Sequence, residues 1–167
     1  MNKYWTAYLV FVAVILMLAI GIAHAGTSFN GLVTQVHDGD TITVLNETGA
    51  PEKIRLYRID SPEMKGTKWG YQPHASESRT ALLNLCKGKI AAIKRIGKSY
   101  TRTVGTVACD GKDVTDYLIL TGNAWAYRYT ATKAMKAEQA NAESRGVGLW
   151  ALPSPVEPYL WRKGITQ

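Results

Sequence analysis

Within one short stretch, Ile54-Arg55-Leu56-Tyr57-Arg58-Ile59-Asp60-Ser61-Pro62-Glu63 sets two arginines and two carboxylates on an otherwise apolar segment. A second acidic signal, His37-Asp38-Gly39-Asp40-Thr41, lies upstream. Carboxylates can hold a hard cation and take a proton from water. Guanidinium groups can neutralise phosphate oxygens. The combination suits chemistry at a phosphodiester and favours an enzyme over a generic small domain.

Asp40 opens the second expected strand, whereas Asp60 and Glu63 lie where the third ends. Neighbouring strands of a meander can bring these ends together. Two aspartates with a backbone carbonyl, such as that of Ser61, would make an open oxygen site with room for a substrate phosphate. The residues alone also permit a plainer reading, in which Asp38 and Asp40 serve only a turn and Glu63 is a solvated loop residue. The spacing is not that of an EF-hand loop. Arg55 and Arg102 could bind phosphate in a planar fork and stabilise the charge of a five-coordinate phosphorus, or could be surface arginines. Arg55 and Asp60 are an odd number of residues apart, so they share a face only if the strand bends or bulges before Pro62. Tyr100, Tyr127 and Tyr129 could stack on bases or pack against the last helix. His37 reads as structural or exposed. No Ser-His-Asp order compels a hydrolase triad, and no glycine-rich phosphate loop is present.

These residues need a frame. Gly31–His37, Thr41–Leu45 and Lys53–Ile59 read as three strands of a meander, with a turn signal at Asp38-Gly39. An irregular loop over Gly66–Gln72, with Lys65, Lys68 and Trp69 in or beside it, leads to a helix over Pro73–Lys87. The face of this helix is Ala75, Ser78, Leu82 and Leu85. Strands follow at Lys89–Ile96 and Thr103–Cys109. A short helix over Val114–Thr121 is capped by Asp113 and closed by Gly122. The last helix covers Thr132–Arg145 and stops at Gly146. Three prolines over Pro153–Pro158 predict an extended tail, pinned to the body by Trp150 and Trp161. Five short strands with a helix between the third and fourth fit an α+β architecture: a five-stranded OB-type β-barrel with three helices.

The 167-residue chain predicts one domain with one core, and 46% hydrophobic with 20% charged residues argues against disorder. Residues 1–25 read as a signal peptide. Lys3 is the positive start, Ala7–Ala23 is apolar, and Ala23-His24-Ala25 before Gly26 is a small-x-small cleavage site. The alternative is an uncleaved membrane anchor over residues 7–23. The mature domain, 26–167, has a core over 30–150 and a tail over 151–167. It loses Lys3, and the formal charge drops from +7 to +6. A domain this basic suits a polyanion such as nucleic acid. The expected location is secreted or periplasmic, or membrane-anchored on the outer side if residues 7–23 stay. In an exported protein the two cysteines, Cys86 and Cys109, read as a disulfide, with two buried thiols as the alternative.

The motifs together resemble the staphylococcal nuclease (thermonuclease) family over about residues 30–150. Asp38-Gly39-Asp40-Thr41 resembles its DGDT segment, and Arg55-Leu56 through Ile59-Asp60-Ser61-Pro62-Glu63 its R-L-x-x-[IV]-D-[ST]-P-E segment. Arg102 stands at the start of the fifth strand, and Gly146-Val147-Gly148-Leu149-Trp150 resembles the usual end of the last helix. The resemblance implies Ca²⁺ bound by Asp40, Asp60 and the Ser61 carbonyl. It implies a water oriented or deprotonated by Glu63, phosphate clamped by Arg55 and Arg102, and substrate contacts from Tyr100 and Tyr127. The implied partners are DNA and RNA, cleaved to 3′-phosphate ends by a monomer with no stable protein partner. The alternative is a binding module of the same fold with weak or no catalysis. Three positions depart from the family pattern. Lys98 replaces an acid, Thr101 a turn glycine and Thr115 an asparagine. Because threonine disfavours positive φ, the placement of Arg102 depends on how the Lys98–Thr101 turn closes.

Overall fold

The computed structural model describes residues 28–64 and 70–166. The expected signal peptide and most of the loop with Lys65, Lys68 and Trp69 lie outside the described residues.

Strands β1 (Ser28–Val36), β2 (Thr41–Leu45) and β3 (Pro51–Leu56) form the expected antiparallel meander. β5 (Ile90–Ser99) pairs with β1, and β6 (Arg102–Cys109) pairs with β5. A parallel pairing of β3 with β6, through Ile54 with Thr103 and Leu56 with Gly105, closes the five strands into a barrel. Side chains alternate across a strand, yet Val33 and Val36 both point inward. A break in the β1–β2 register between Val33 and Gln35 allows it. The core is Val33, Val36, Ile42, Val44, Ile54, Leu56, Ile93 and Val107 from the barrel. Leu82 and Leu85 cover it from one helix, and Leu118 and Ile119 from another.

The first of those helices, α1 (Ala75–Cys86), buries Ala75, Ser78, Leu82 and Leu85, the face read from their spacing. In α2 (Val114–Leu120) the Asp113 carboxylate caps the N-terminus by accepting from the N–H groups of Thr115 and Asp116. Thr132 does the same for α3 (Lys133–Ser144), accepting from the Met135 N–H. Thr115 donates from its hydroxyl to the Tyr57 carbonyl at 3.3 Å, tying α2 to the end of β3.

Two expectations change. The third strand does not run to Ile59. It stops at Leu56, Arg58 turns at φ 69°, and a two-residue strand β4 (Ile59–Asp60) leaves the barrel to pair with β8 (Trp125–Ala126). A further short strand, β7 (Lys112–Asp113), sits on β6. The second change is in the tail, which is not extended throughout. After a 3₁₀ turn over Gly148–Ala151, a fourth helix, α4 (Pro158–Arg162), forms. Pro158 fills a first-turn position, where its missing N–H is no loss and its φ is preset. A helix this short is unstable alone. Trp161, 6% exposed, anchors it.

Cys86 and Cys109 form the disulfide, their Cα atoms 5.5 Å apart, joining the end of α1 to the end of β6. Both residues are fully buried. Closing this loop removes conformational freedom from the unfolded chain. Reduction, or a Cys86→Ala/Cys109→Ala double variant, is expected to lower unfolding free energy by about 2–4 kcal/mol. Denaturant unfolding with and without reductant measures it, and coincident curves would refute a structural role for the bridge.

Candidate active site

The β1–β2 turn, the β3–β4 turn and the tip of the β5–β6 hairpin surround a cleft of about 590 Å³. Arg55 lies at its base. Its Nη1 donates to the carbonyls of Leu56 and Ile59, 3.0 Å each. Its Nη2 donates to Asp60 Oδ1 at 2.9 Å and stands 3.0 Å from Asp40 Oδ2. The turn at Arg58 supplies the bend that the odd Arg55–Asp60 spacing demands. Asp40 Oδ2 also accepts from the Ser61 N–H at 2.9 Å, and Oδ1 from the Thr41 hydroxyl at 3.0 Å. Asp40 and Asp60 are therefore gathered on one guanidinium, with Ser61 held to Asp40, and all three are buried.

The DGDT segment serves both its turn and this cluster. Asp38 Oδ1 accepts from the Asp40 N–H at 3.0 Å, which shapes the turn. Asp40 itself turns inward. Gly39 is required for closeness rather than for a left-handed backbone. A Cβ there would run into Ser78 Oγ of α1 and lie 2.8 Å from Ser61 Cβ. His37 is structural, its Nε2 2.8 Å from the Thr43 hydroxyl.

Glu63 sits on the rim. Buried Gln72 fixes its main chain from both sides. The Gln72 N–H donates to the Glu63 carbonyl at 2.8 Å, and Gln72 Oε1 accepts from the Glu63 N–H at 3.1 Å. The same side chain donates from Nε2 to the Val156 carbonyl of the tail at 2.6 Å. Arg162, at the end of α4, reaches into the cleft. Its Nη2 is 2.8 Å from Asp60 Oδ2, and its Nη1 donates to Glu63 Oε1.

Arg102 lines the same cleft from the start of β6. Thr101 stands where the resemblance implies a turn glycine. The hairpin turn is Tyr100-Thr101 between paired Ser99 and Arg102, and the positive φ, 54°, falls on Tyr100. Tyr100 thereby stands out from the tip, 96% exposed. Tyr127 lines the cleft and packs edge-to-face on Tyr129, centroids 5.3 Å apart.

The electrostatics follow from burial. Burial would raise the Asp40 carboxyl, but the Arg55 charge and the Ser61 N–H hold it below its ordinary value. Burial and the neighbouring Asp40 charge leave Asp60 raised despite the Arg162 bonds. Glu63 is raised, first by burial. Asp38 is pushed up to about 7 by burial and by Asp40. Asp38, Asp40, Asp60 and Glu63 thus face Arg55, Arg58, Arg102 and Arg162 across the cleft, equal numbers of carboxyl and guanidinium groups. Among the described residues, no three histidine, cysteine, aspartate or glutamate side chains form a ready metal cage. The donors nevertheless fit a hard dication. Asp40 and Asp60 converge as oxygen donors, and no histidine or cysteine is among the described lining residues.

All eight expected site residues lie in this one neighbourhood. Sequence reasoning missed Arg162 and Gln72, whose partners are distant in the chain. The one signal for Arg162 was Pro158, a helix-start residue four positions earlier.

Gly39→Ala is expected to destabilise the fold by about 1–3 kcal/mol, because Ser61 and Ser78 must move apart. Gly97→Ala, where a Cβ meets open space, is expected to stay within about 0.5 kcal/mol. Chemical denaturation of both checks this, and a neutral Gly39→Ala would show that the packing yields.

The family described as "Staphylococcal nuclease homologue" matches residues 53–152, from β3 through the 3₁₀ turn. A protein named an uncharacterized endonuclease in Haemophilus influenzae is 34% identical over 133 residues, covering 78% of this chain and 71% of the relative. Another so named, in Escherichia coli O157:H7, is 34% identical over 136 residues, covering 80% and 84%. A staphylococcal-like nuclease of Arabidopsis thaliana is 36% identical over 113 residues, 66% of this chain but 33% of that longer protein. The match spans the barrel closure, both arginines and Glu63, and the protein belongs to the staphylococcal nuclease homologue family.

Proposed function

We propose that this protein is an exported, Ca²⁺-dependent, sugar-nonspecific nuclease that hydrolyses phosphodiester bonds of DNA and RNA and leaves 3′-phosphate ends. The observation that carries the reading is the convergence of Asp40, Asp60, Glu63, Arg55 and Arg102 on one open cleft. A binding module has no use for Glu63 beside the phosphate.

Asp40, Asp60 and the Ser61 carbonyl would hold Ca²⁺, whose charge would offset the negative charge gathering on phosphorus. Glu63 takes the proton of the attacking water. Its Oε1 is held by Arg162, while Oε2 has no partner among the described residues and can face the water. As water oxygen bonds to phosphorus, the bond to the 5′ oxygen breaks; that oxygen takes a proton from solvent, and Glu63 returns the one it accepted to solvent. Arg102, with no ion pair among the described residues, is free to pair with a phosphate oxygen. Arg55 gains that freedom once its carboxylates have another cation. Tyr127 and exposed Tyr100 offer ring faces to the flanking nucleotide.

Purified residues 26–167 are expected to cleave single-stranded DNA with Ca²⁺ and not with a chelator. Glu63→Gln is expected to lower turnover by roughly 10²–10⁴-fold, the usual contribution of a general base, with the fold intact. Full activity in that variant would remove Glu63 from the mechanism. Salt-sensitive DNA binding without cleavage would establish the binding module instead.

Export rests on residues 1–25. Among the described residues no helix is long and apolar enough to cross a membrane, and the 7–23 segment lies outside them. Mass spectrometry of the mature protein is expected to find Gly26 at the N-terminus. Met1 would indicate a retained anchor.

A further inference from the structure

The tail brings a guanidinium into the acidic cluster that no sequence motif accounts for. Arg162 Nη2 lies 2.8 Å from Asp60 Oδ2 and Nη1 3.3 Å from Asp60 Oδ1, while Nη1 also donates to Glu63 Oε1. One planar fork therefore spans two carboxylates of different role, which a flexible ammonium could not hold with the same geometry. Its backbone is not free to wander. Trp161, the preceding residue, is buried, and the Val156 carbonyl accepts from Gln72 Nε2 at 2.6 Å. Gln72 in turn grips the Glu63 main chain by its N–H and its Oε1. The segment Val156–Arg162 thus reaches Glu63 by two routes, through Gln72 to the backbone and through Arg162 to the carboxylate. Arg128 adds a third tether by donating to Glu157 from its Nε at 2.9 Å.

We propose that Arg162 is a positioning residue of the active centre, and that the C-terminal helix carrying it is a working part of the catalytic unit. Arg162 fixes the direction of the Glu63 carboxylate relative to Asp60. The oxygen that handles the water, Oε2, then points to one place rather than sweeping the rim. A long carboxylate beside the chain's loop, untethered, would spend much of its time in unproductive rotamers. Holding it in one rotamer is a gain realised mainly in the reacting complex. The inference rests on the nuclease reading above.

The test compares wild type, Arg162→Gln and Arg162→Lys of the mature chain, with Ca²⁺ and single-stranded DNA. Arg162→Gln is expected to lower kcat roughly 10–100-fold, as loss of orientation does, while KM changes by less than about threefold because the phosphate contacts remain. Arg162→Lys is expected to recover part of the loss, and sub-denaturing guanidinium ion to restore activity to Arg162→Gln. Thermal unfolding reports whether the fold has changed, and rescue by guanidinium at an unchanged melting temperature separates positioning from folding. An unchanged or raised kcat in Arg162→Gln would overturn the proposal, making Arg162 a spectator or a plug. A rise in KM alone would also overturn it, assigning Arg162 to phosphate binding. Wild type that cleaves nothing would overturn this inference together with the nuclease reading. An active wild type matched by Arg162→Gln would overturn the inference alone.

Discussion

The Arg55 guanidinium, held between Asp40 and Asp60, is the interaction on which the cleft depends. It draws on three places at once: the turn before β2, the β3 strand that carries Arg55 itself, and the short β4 strand beyond the bend. Its side chain is 16% exposed and those of its partners 7% and 3%. Charges this deep are costly to strip of water, and one left without its partner is costlier still, on the order of 3–5 kcal/mol. The cluster therefore persists only as a set. This is also why the site resists the simple strand geometry that would have separated its members. Arg58 accepts a left-handed backbone so that Asp60 can swing back to Arg55.

Around that cluster the fold works by closure. The parallel β3–β6 pairing brings the start of β6, with Arg102, beside the end of β3, with Arg55. Cys86 and Cys109 fasten α1 to the far end of β6. α1 presents Ser78 to Gly39, so the tightest backbone approach in the site lies directly under Asp40. Stability and site geometry therefore share contacts. The barrel core is apolar, and the buried carboxylates Asp40 and Asp60 lie in the cleft at its edge.

The β5–β6 hairpin shows how a tight turn closes without glycine. A glycine at Thr101 would have tolerated positive φ there. In this chain the left-handed position is Tyr100, and Thr101 keeps an ordinary backbone. Such strain is modest, of order 1–3 kcal/mol, and the long β5–β6 ladder overrides it. The register still places Arg102 opposite Ser99 and its side chain in the cleft.

Much of this protein was legible in its residues, because much of it is local. Alternation in β2, the spacing of Ala75, Ser78, Leu82 and Leu85, the Asp113 cap and the Gly122 stop each depend on neighbours within a few positions. The DGDT and Arg55–Glu63 segments carried the site for the same reason: each is a short run whose residue types already state a chemistry. Tertiary structure alone decided the rest. No local rule says that Arg55 and Asp60 meet, since a strict strand would part them and only pairing of Ile59 and Asp60 with Trp125 and Ala126 holds the bend. None places Arg162 beside Glu63 across 99 residues. That meeting depends on where a buried tryptophan finds its pocket and which carbonyl Gln72 can reach. Hydrophobic periodicity records which way a side chain faces. It is silent on which distant group will be waiting there.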